Sequence, residues 1–319
     1  MQKDVIVSIK GLKKHFRVKD KILKAVDFFD LDIFHGEMVG LVGESGCGKS
    51  TLGKTLLRLI EPSAGQVLYN ETDIYSLSHQ KMKKMRRNMQ MLLQDPYSSL
   101  NPRINVEQII GEALDIHHLS KGGKRTERII ELLELVNLNP DDRYRFPHEF
   151  SGGQRQRIGL ARALAVEPKF LVLDEPISAL DVSVQAQVVN LLKSLQKRMN
   201  LTYLFISHDL SLVKYISDRV AVMYLGRLVE LASSDSLYED PLHPYTEVLL
   251  SSMTELGEEK KKKHVFIEGE IPSPFEERKG CVFCKRCPKA LPICSQKIPE
   301  FQEAKPKHWV ACHLYGENQ

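Results

Sequence analysis

The chain has 319 residues, of which 42% are hydrophobic and 27% charged, a composition that supports a real core and excludes collagen-like and wholly disordered classes. Its formal net charge is +4, from 45 Lys and Arg against 41 Asp and Glu, so no strong field demands nucleic acid as a partner. No run approaches the roughly 18 apolar residues of a membrane span, and Met1-Gln2-Lys3-Asp4-Val5 lacks the apolar core of a signal peptide. The chain is therefore expected to stay in the cytosol, as two domains or as one large domain with an appendage.

From the N-terminus, Val5 to Ile9 and Ala25 to Ile33 alternate apolar and polar residues and predict strands, with the charged turn Val18-Lys19-Asp20-Lys21 between them. Met38-Val39-Gly40-Leu41-Val42 is continuously apolar, as a strand buried on both faces is. A glycine-rich loop leads from it into a helix over about 50–59. Helical periodicity follows at Val106 to Leu114 and Glu127 to Val136, punctuated by Asn101-Pro102 and Lys121-Gly122-Gly123. The basic stretch Lys81-Met82-Lys83-Lys84-Met85-Arg86-Arg87 reads as a solvated helix face, with a nucleic-acid patch as the weaker alternative.

A second α/β block runs from 151 to about 232. It holds a helix after Ser151, a buried strand Phe170 to Leu173, a helix Val184 to Met199 and a buried strand Tyr203 to Ile206. Such alternation predicts a largely parallel sheet covered by helices. From about 257 the composition changes: Glu258-Glu259 and Lys260 to Lys263 read as a solvated linker. Five of the six cysteines follow, between Cys281 and Cys312. In a reducing compartment a metal or cluster site is favoured over a disulfide framework.

Gly43-Glu44-Ser45-Gly46-Cys47-Gly48-Lys49-Ser50 fits the phosphate-loop spacing of Gly, four residues, then Gly-Lys-Ser. Its glycines let backbone N–H groups wrap phosphates, Lys49 reaches the same phosphates, and the Ser50 hydroxyl is a Mg²⁺ ligand. The loop follows a buried strand and opens a helix, whose N-terminus adds a positive end. Cys47 reads as a small loop filler. Phe170-Leu171-Val172-Leu173-Asp174-Glu175 ends an apolar strand on two carboxylates. Asp174 is suited to a metal-bound water, and Glu175 to polarising the water that attacks a γ-phosphate. Ser151-Gly152-Gly153-Gln154 opens a helix with Ser151 as its N-cap. It is either a plain cap or a second anion-binding helix start for a nucleotide on another subunit.

With these motifs the chain resembles the ATP-binding cassette (ABC) family of transport ATPases over roughly residues 1–250. The resemblance is carried by the phosphate loop, Gln94 in Leu92-Leu93-Gln94-Asp95-Pro96, the signature Ser151 to Gln154, Asp174-Glu175, Ser178-Ala179-Leu180-Asp181, and His208 in Ile206-Ser207-His208-Asp209. It implies an α/β fold: a phosphate-loop NTPase core with an antiparallel β subdomain and a helical subdomain at about 95–165, together spanning 1–256. A C-terminal cysteine-bearing extension would then span 257–319. It further implies ATP and Mg²⁺ as ligands, Glu175, His208 and Gln94 as catalytic residues, and Ser50, Gln94 and Asp174 around Mg²⁺. Gly43, Ser45, Gly46, Cys47, Gly48, Lys49, Ser50 and Thr51 would bind nucleotide, with Ser151, Gly152, Gly153, Gln154 and Asp181 acting at the dimer interface. Phe16 is the candidate adenine-stacking ring, the alternative being packing within its strand layer.

Gln94 to Pro102, Pro147-His148-Glu149-Phe150, Pro176 to Ser183 and Leu242-His243-Pro244-Tyr245-Thr246 look like the bacterial peptide-import ATPases, the oligopeptide, dipeptide and nickel group. That likeness implies a motor at the cytoplasmic face of the bacterial membrane and a paralogous ATPase as partner. Two permeases and an extracytoplasmic binding protein complete the expected complex, and no nucleic acid does. A nickel importer, an exporter subunit and a non-transport ABC ATPase are the alternatives. The tail's Cys281, Cys284 and Cys287, followed by Pro288, have an iron–sulfur spacing. Zinc and free thiols stay open. The family pattern implies Cys281, Cys287, Cys294 and Cys312 as the ligands of a [4Fe–4S] cluster, with Cys284 an extra, alternative thiol.

Overall fold

Apolar runs closed off by glycine and proline set the strands. A computed structural model describes residues 4–95, 99–178, 180–251, 253, 272–273, 275 and 279–316. Pro96, Tyr97, Ser98, Ala179 and the charge run Glu258 to Lys263 lie outside the described residues. The architecture is mixed α/β with an antiparallel sheet and largely parallel pairing elsewhere. Two compact units divide the chain: one holds its start to Ile6, 34–37 and 76–206, and the other holds 7–33, 38–75 and the chain from 207 onward.

The second of these units begins with β1 (Val5–Val18) and β2 (Lys21–Phe34), joined at the expected charged turn. Phe29, Leu31 and Ile33 point inward while Phe28, Asp30 and Asp32 face solvent, the period-2 pattern of a strand with one wet face. β3 (Met38–Val42) is buried throughout. It is followed by α1 (Lys49–Leu56), β4 (Ala64–Tyr69) and β5 (Thr72–Asp73). The antiparallel sheet has the order β2-β1-β4-β5, with Val7 opposite Tyr69 and Ile9 opposite Val67. β1 is longer than its alternation predicts because β4 pairs with it as far as Lys13.

The other unit contains α2 (His79–Met85), β6 (Met89–Leu92), α3 (Val106–Ile116), α4 (Gly123–Leu135), α5 (Gly152–Leu164), β7 (Phe170–Asp174), α6 (Val182–Met199) and β8 (Thr202–Ile206). In α2 only Met82 is buried, and Lys81, Lys83 and Lys84 are exposed, which is the solvated face the sequence suggests. β6, β7 and β8 run parallel, with Leu92 opposite Leu173 and Asp174 opposite Ile206. Ile109, Ile110 and Leu114 of α3, Ile129, Leu132 and Leu133 of α4, and Ile158 and Leu160 of α5 are buried. Each stabilises by roughly 1.5–3 kcal/mol, far more than the few tenths that helix propensity adds per residue.

Beyond residue 206 the second unit resumes with α7 (Leu210–Ile216), β9 (Arg219–Tyr224), β10 (Arg227–Ser233), α8 (Ser234–Glu239) and α9 (Pro244–Ser251). β11 (Gln302–Lys305) and β12 (His308–Val310) complete it. β3 pairs parallel with β9, and β9-β10-β12-β11 continue antiparallel. β9 and β10 form a hairpin across Leu225-Gly226, both at positive φ (44° and 84°), as a tight primed turn requires. The chain's last strands thus extend the sheet that carries β3. Among the described residues no helix is long and apolar enough to cross a membrane.

Candidate functional site

The phosphate loop leaves β3 at Gly43 and enters α1 at Lys49. Gly43 and Gly48 sit at φ 153° and 111°. A Cβ on either would lie 2.1 Å from the Met223 carbonyl oxygen or 2.0 Å from that of Ala25, so backbone packing excludes any side chain there. Gly48 caps α1 in the left-handed region and, having no side chain, supplies no side-chain cap. Lys49 is 5% exposed, and its Nζ donates to the Gly43 carbonyl at 2.7 Å and the Glu44 carbonyl at 3.1 Å. The ammonium therefore rests inside the loop it is expected to serve. Ser50 and Thr51, in the first turn of α1, are half-buried. Cys47 is buried, and burial pushes its thiol up against the opposing pull of Lys49, which suits a neutral filler. Phe16 is half-buried, and the Lys14 ammonium stands 4.7 Å from its ring centroid. His208 is exposed, next to Ser207, whose N–H donates to the Leu41 carbonyl at 3.2 Å.

Gln94, Asp174, Glu175, Asp181 and the signature belong to the other unit. β7 carries Asp174 at its end, 3% exposed, and delivers Glu175 immediately after. Glu175 has φ 44°, a left-handed backbone that costs a non-glycine residue about 1–3 kcal/mol and persists only where its surroundings enforce it. Its N–H donates to the Ile206 carbonyl at 3.0 Å, which fixes that conformation from β8. Gln94 Nε2 donates to Glu175 Oε2 at 2.9 Å, bringing together two residues singled out from separate motifs.

Ser151 is the N-cap of α5, as expected: its Oγ accepts the Gln154 N–H at 3.4 Å, and Gln154 Oε1 accepts the Ser151 N–H at 2.9 Å. The glycines do more than bare the helix end. A Cβ on Gly153 would meet Val184 at 2.3 Å, so α5 approaches α6 as closely as it does only because that side chain is missing. Asp181 is exposed at the N-cap of α6.

The cysteine segment lies in the same unit as the phosphate loop, and none of the six cysteines is in a disulfide. Burial pushes the Cys281 thiol up to about 12, and neighbouring Cys294, Cys312 and Cys287 add to it. Burial, with Cys287 and Cys294 nearby, raises Cys312 to about 11. Cys294 Sγ accepts the Leu291 N–H at 3.4 Å, a donor that favours thiolate over thiol. Burial, with Cys294 nearby, raises the Cys284 thiol. Among the described residues no three His, Cys, Asp or Glu side chains are disposed as a ready-made metal cage.

Sequence reading missed what holds this segment down. Phe283, 1% exposed, packs on Tyr224 edge-on at 5.3 Å and against Tyr245 at 5.5 Å and His243 at 5.8 Å. Arg286 pairs with Glu44 at 2.9 Å. A buried aromatic and an arginine between thiols were the available signals.

The ABC transporter profile matches residues 26–178, and the profile of the oligopeptide/dipeptide transporter C-terminal region matches 229–294. The oligopeptide transport ATP-binding protein AppF of Bacillus subtilis is 51% identical over 323 residues, with 98% of each chain covered. A putative peptide import ATP-binding protein of Brucella ovis is 50% identical over 312 residues, again with 98% of each covered. Among solved structures, cbiO1 of Clostridium perfringens, part of the ABC transporter complex cbiONQ, aligns with a TM-score of 0.66 at 26% identity. It covers 74% of this chain and 92% of its own. The ATP-binding cassette MJ0796, in a dimeric post-hydrolysis state with ADP and phosphate, aligns at 0.65 and 26% identity, over 72% and 98% of the two chains.

Proposed function

We propose that this chain, which belongs to the ABC transporter family and to its oligopeptide/dipeptide branch, is the ATP-hydrolysing motor subunit of a bacterial peptide importer. The observation that carries the reading is the Gln94–Glu175 hydrogen bond at 2.9 Å on a strained Glu175 backbone. A carboxylate held at the end of a buried strand by an amide is poised to take a proton from water. The same amide can report on whatever replaces it as a partner.

In this reading Lys49 leaves the Gly43 and Glu44 carbonyls for the β- and γ-phosphates of ATP, exchanging neutral acceptors for charged ones. The uncapped N–H groups of α1 bind the same phosphates, with Gly43, Ser45, Gly46, Cys47, Gly48 and Thr51 shaping the loop. Phe16 stacks on adenine. By the family pattern Ser50, Gln94 and the buried carboxylate of Asp174 would hold Mg²⁺, which would neutralise charge on the phosphate oxygens. Glu175 orients and deprotonates the attacking water, and His208 contacts the γ-phosphate. Ser151, Gly152, Gly153, Gln154 and Asp181 act on the nucleotide of a second cassette, taken to be a paralogue. Binding of ATP closes the pair and hydrolysis reopens it. The chain works at the cytoplasmic face of the cell membrane with two permeases and an extracytoplasmic binding protein, and its cargo class is peptides. Glu175→Gln should leave ATP binding intact and lower turnover about 10²–10⁴-fold. ATPase activity near wild type in that variant overturns the base assignment.

By the family pattern the tail would hold a [4Fe–4S] cluster through Cys281, Cys287, Cys294 and Cys312, although the described side chains form no ready-made metal cage. Support comes from the clustering of five of the six cysteines between Cys281 and Cys312. Iron and acid-labile sulfide analysis of anaerobically purified protein tests it, and a colourless protein with one zinc overturns it.

A further inference from the structure

Arg286 sits in a short turn, Cys284–Arg286, built by successive backbone bonds from Cys284 N–H to Cys281, Arg286 N–H to Phe283 and Cys287 N–H to Cys284. Its side chain leaves the cysteine segment altogether. Nη1 donates to Glu44 Oε1 and Oε2 at 3.1 and 2.9 Å and to Tyr224 Oη at 3.1 Å, and Nη2 donates to Glu44 Oε1 at 3.1 Å. The pair is largely removed from water, with 9% of the Arg286 side chain and 24% of that of Glu44 exposed. Nε is buried with no hydrogen-bond partner. The guanidinium is thus aimed at Glu44 at the expense of its own third donor.

Glu44 is the second residue of the phosphate loop, and every polar part of it is engaged. Its N–H donates to Tyr245 Oη at 2.9 Å, its carbonyl accepts Lys49 Nζ at 3.1 Å, and its carboxylate takes the Arg286 fork. A bare carboxylate beside a loop meant for polyphosphate would repel its ligand. At a few ångströms and low effective dielectric, such a charge is felt strongly. Adhesion of the tail has a separate anchor in Phe283 on its three-ring cluster. The Arg286–Glu44 contact is therefore free to serve another purpose.

We propose that Arg286 is a positioning residue for the phosphate loop. It cancels the Glu44 charge and fixes the loop's leading turn, so that the cysteine segment is a working part of the nucleotide site. The inference rests on reading residues 43–50 as a nucleotide phosphate loop. A bidentate arginine is the residue type that can both neutralise and orient a carboxylate.

The test is MgATP titration and steady-state ATPase kinetics on the full-length wild type, R286M, R286K, E44Q, E44Q/R286M and K49A. R286M should raise Kd and KM for MgATP about five- to twentyfold, the range of a moderate coupling between sites, with kcat little changed and the defect larger at low salt. E44Q/R286M should recover to within about twofold of E44Q, because the uncancelled charge has gone. A tail anchor with no role at the loop predicts instead that the double variant is no better than R286M. That result, or wild-type affinity in R286M, overturns the proposal. If R286M does not fold, R286K, which keeps the charge but loses the fork, is compared with E44Q/R286K. A KM increase relieved by E44Q supports the proposal, and its absence overturns it. ATP bound as well by K49A as by wild type is the separate signature of a wrong phosphate-loop assignment, and it removes the proposal with it.

Discussion

Two helix starts in this molecule carry motifs proposed to bind anions, and they are built in opposite ways. α1 opens on Gly48 in the left-handed region with no side-chain cap. α5 opens on Ser151, whose side chain and that of Gln154 close a reciprocal capping box. A start whose cap residue has no side chain leaves its first N–H groups to other acceptors, such as a ligand or water. A capped start is complete by itself. In the proposed reading the two do different work: the phosphate loop would bind through backbone N–H groups at the start of α1, and the signature would meet its nucleotide through the Ser151 hydroxyl and amides at a helix end that is already capped.

Variants can break this contrast from either side. Lys49→Ala removes the buried ammonium and should lower turnover by about 10²-fold or more, measured as ATPase activity beside equilibrium nucleotide binding. Gly48→Ala places a Cβ 2.0 Å from the Ala25 carbonyl oxygen at φ 111°. It should cost roughly 3–4 kcal/mol in denaturant unfolding, because backbone must move and strain is added. Acidification sharpens the contrast at intermediate size. His243 is fully buried, and burial holds it down to about 4 against the opposing pull of Glu230. Its Nδ1 accepts the N–H of Tyr245, the residue whose hydroxyl accepts the Glu44 N–H. Its folded value lies below the ordinary 6.5, so below that pH the unfolded chain takes up the proton first. The associated stability is complete above about 6.5 and is lost as pH falls toward 4, on the order of 3 kcal/mol in all. Melting temperature against pH should show this fall, and His243→Asn should flatten it. Ser151→Ala is the smallest change. It should cost about 1 kcal/mol of stability and leave ATP binding by the single chain unaltered, while lowering turnover in the assembled transporter.

Much of the fold was legible because its signals are local. β3 and β7 are continuous apolar runs, and the structure buries every residue of both. The cap at Ser151 and the turn at 18–21 follow from residue type and spacing. β9, β10, β11 and β12 escaped notice. In β9 and β10 the short apolar stretches have no turn signal beyond Leu225-Gly226, and β11 is a polar run, Gln302–Lys305, that pairs only because β12 lies beside it. Pairing partners, more than intrinsic propensity, decide such strands.

Residue spacing alone determined the phosphate loop, the Asp174-Glu175 strand end, the signature cap and the membership that follows from them, because each is a contiguous pattern whose chemistry is written within a few residues. Tertiary structure alone decided that Gln94 meets Glu175 across 81 residues and that Arg286 meets Glu44 across 242. The physical reason is that charge pairing and hydrogen bonding act over a few ångströms of space, and only the folded chain sets which distant residues fall within that range.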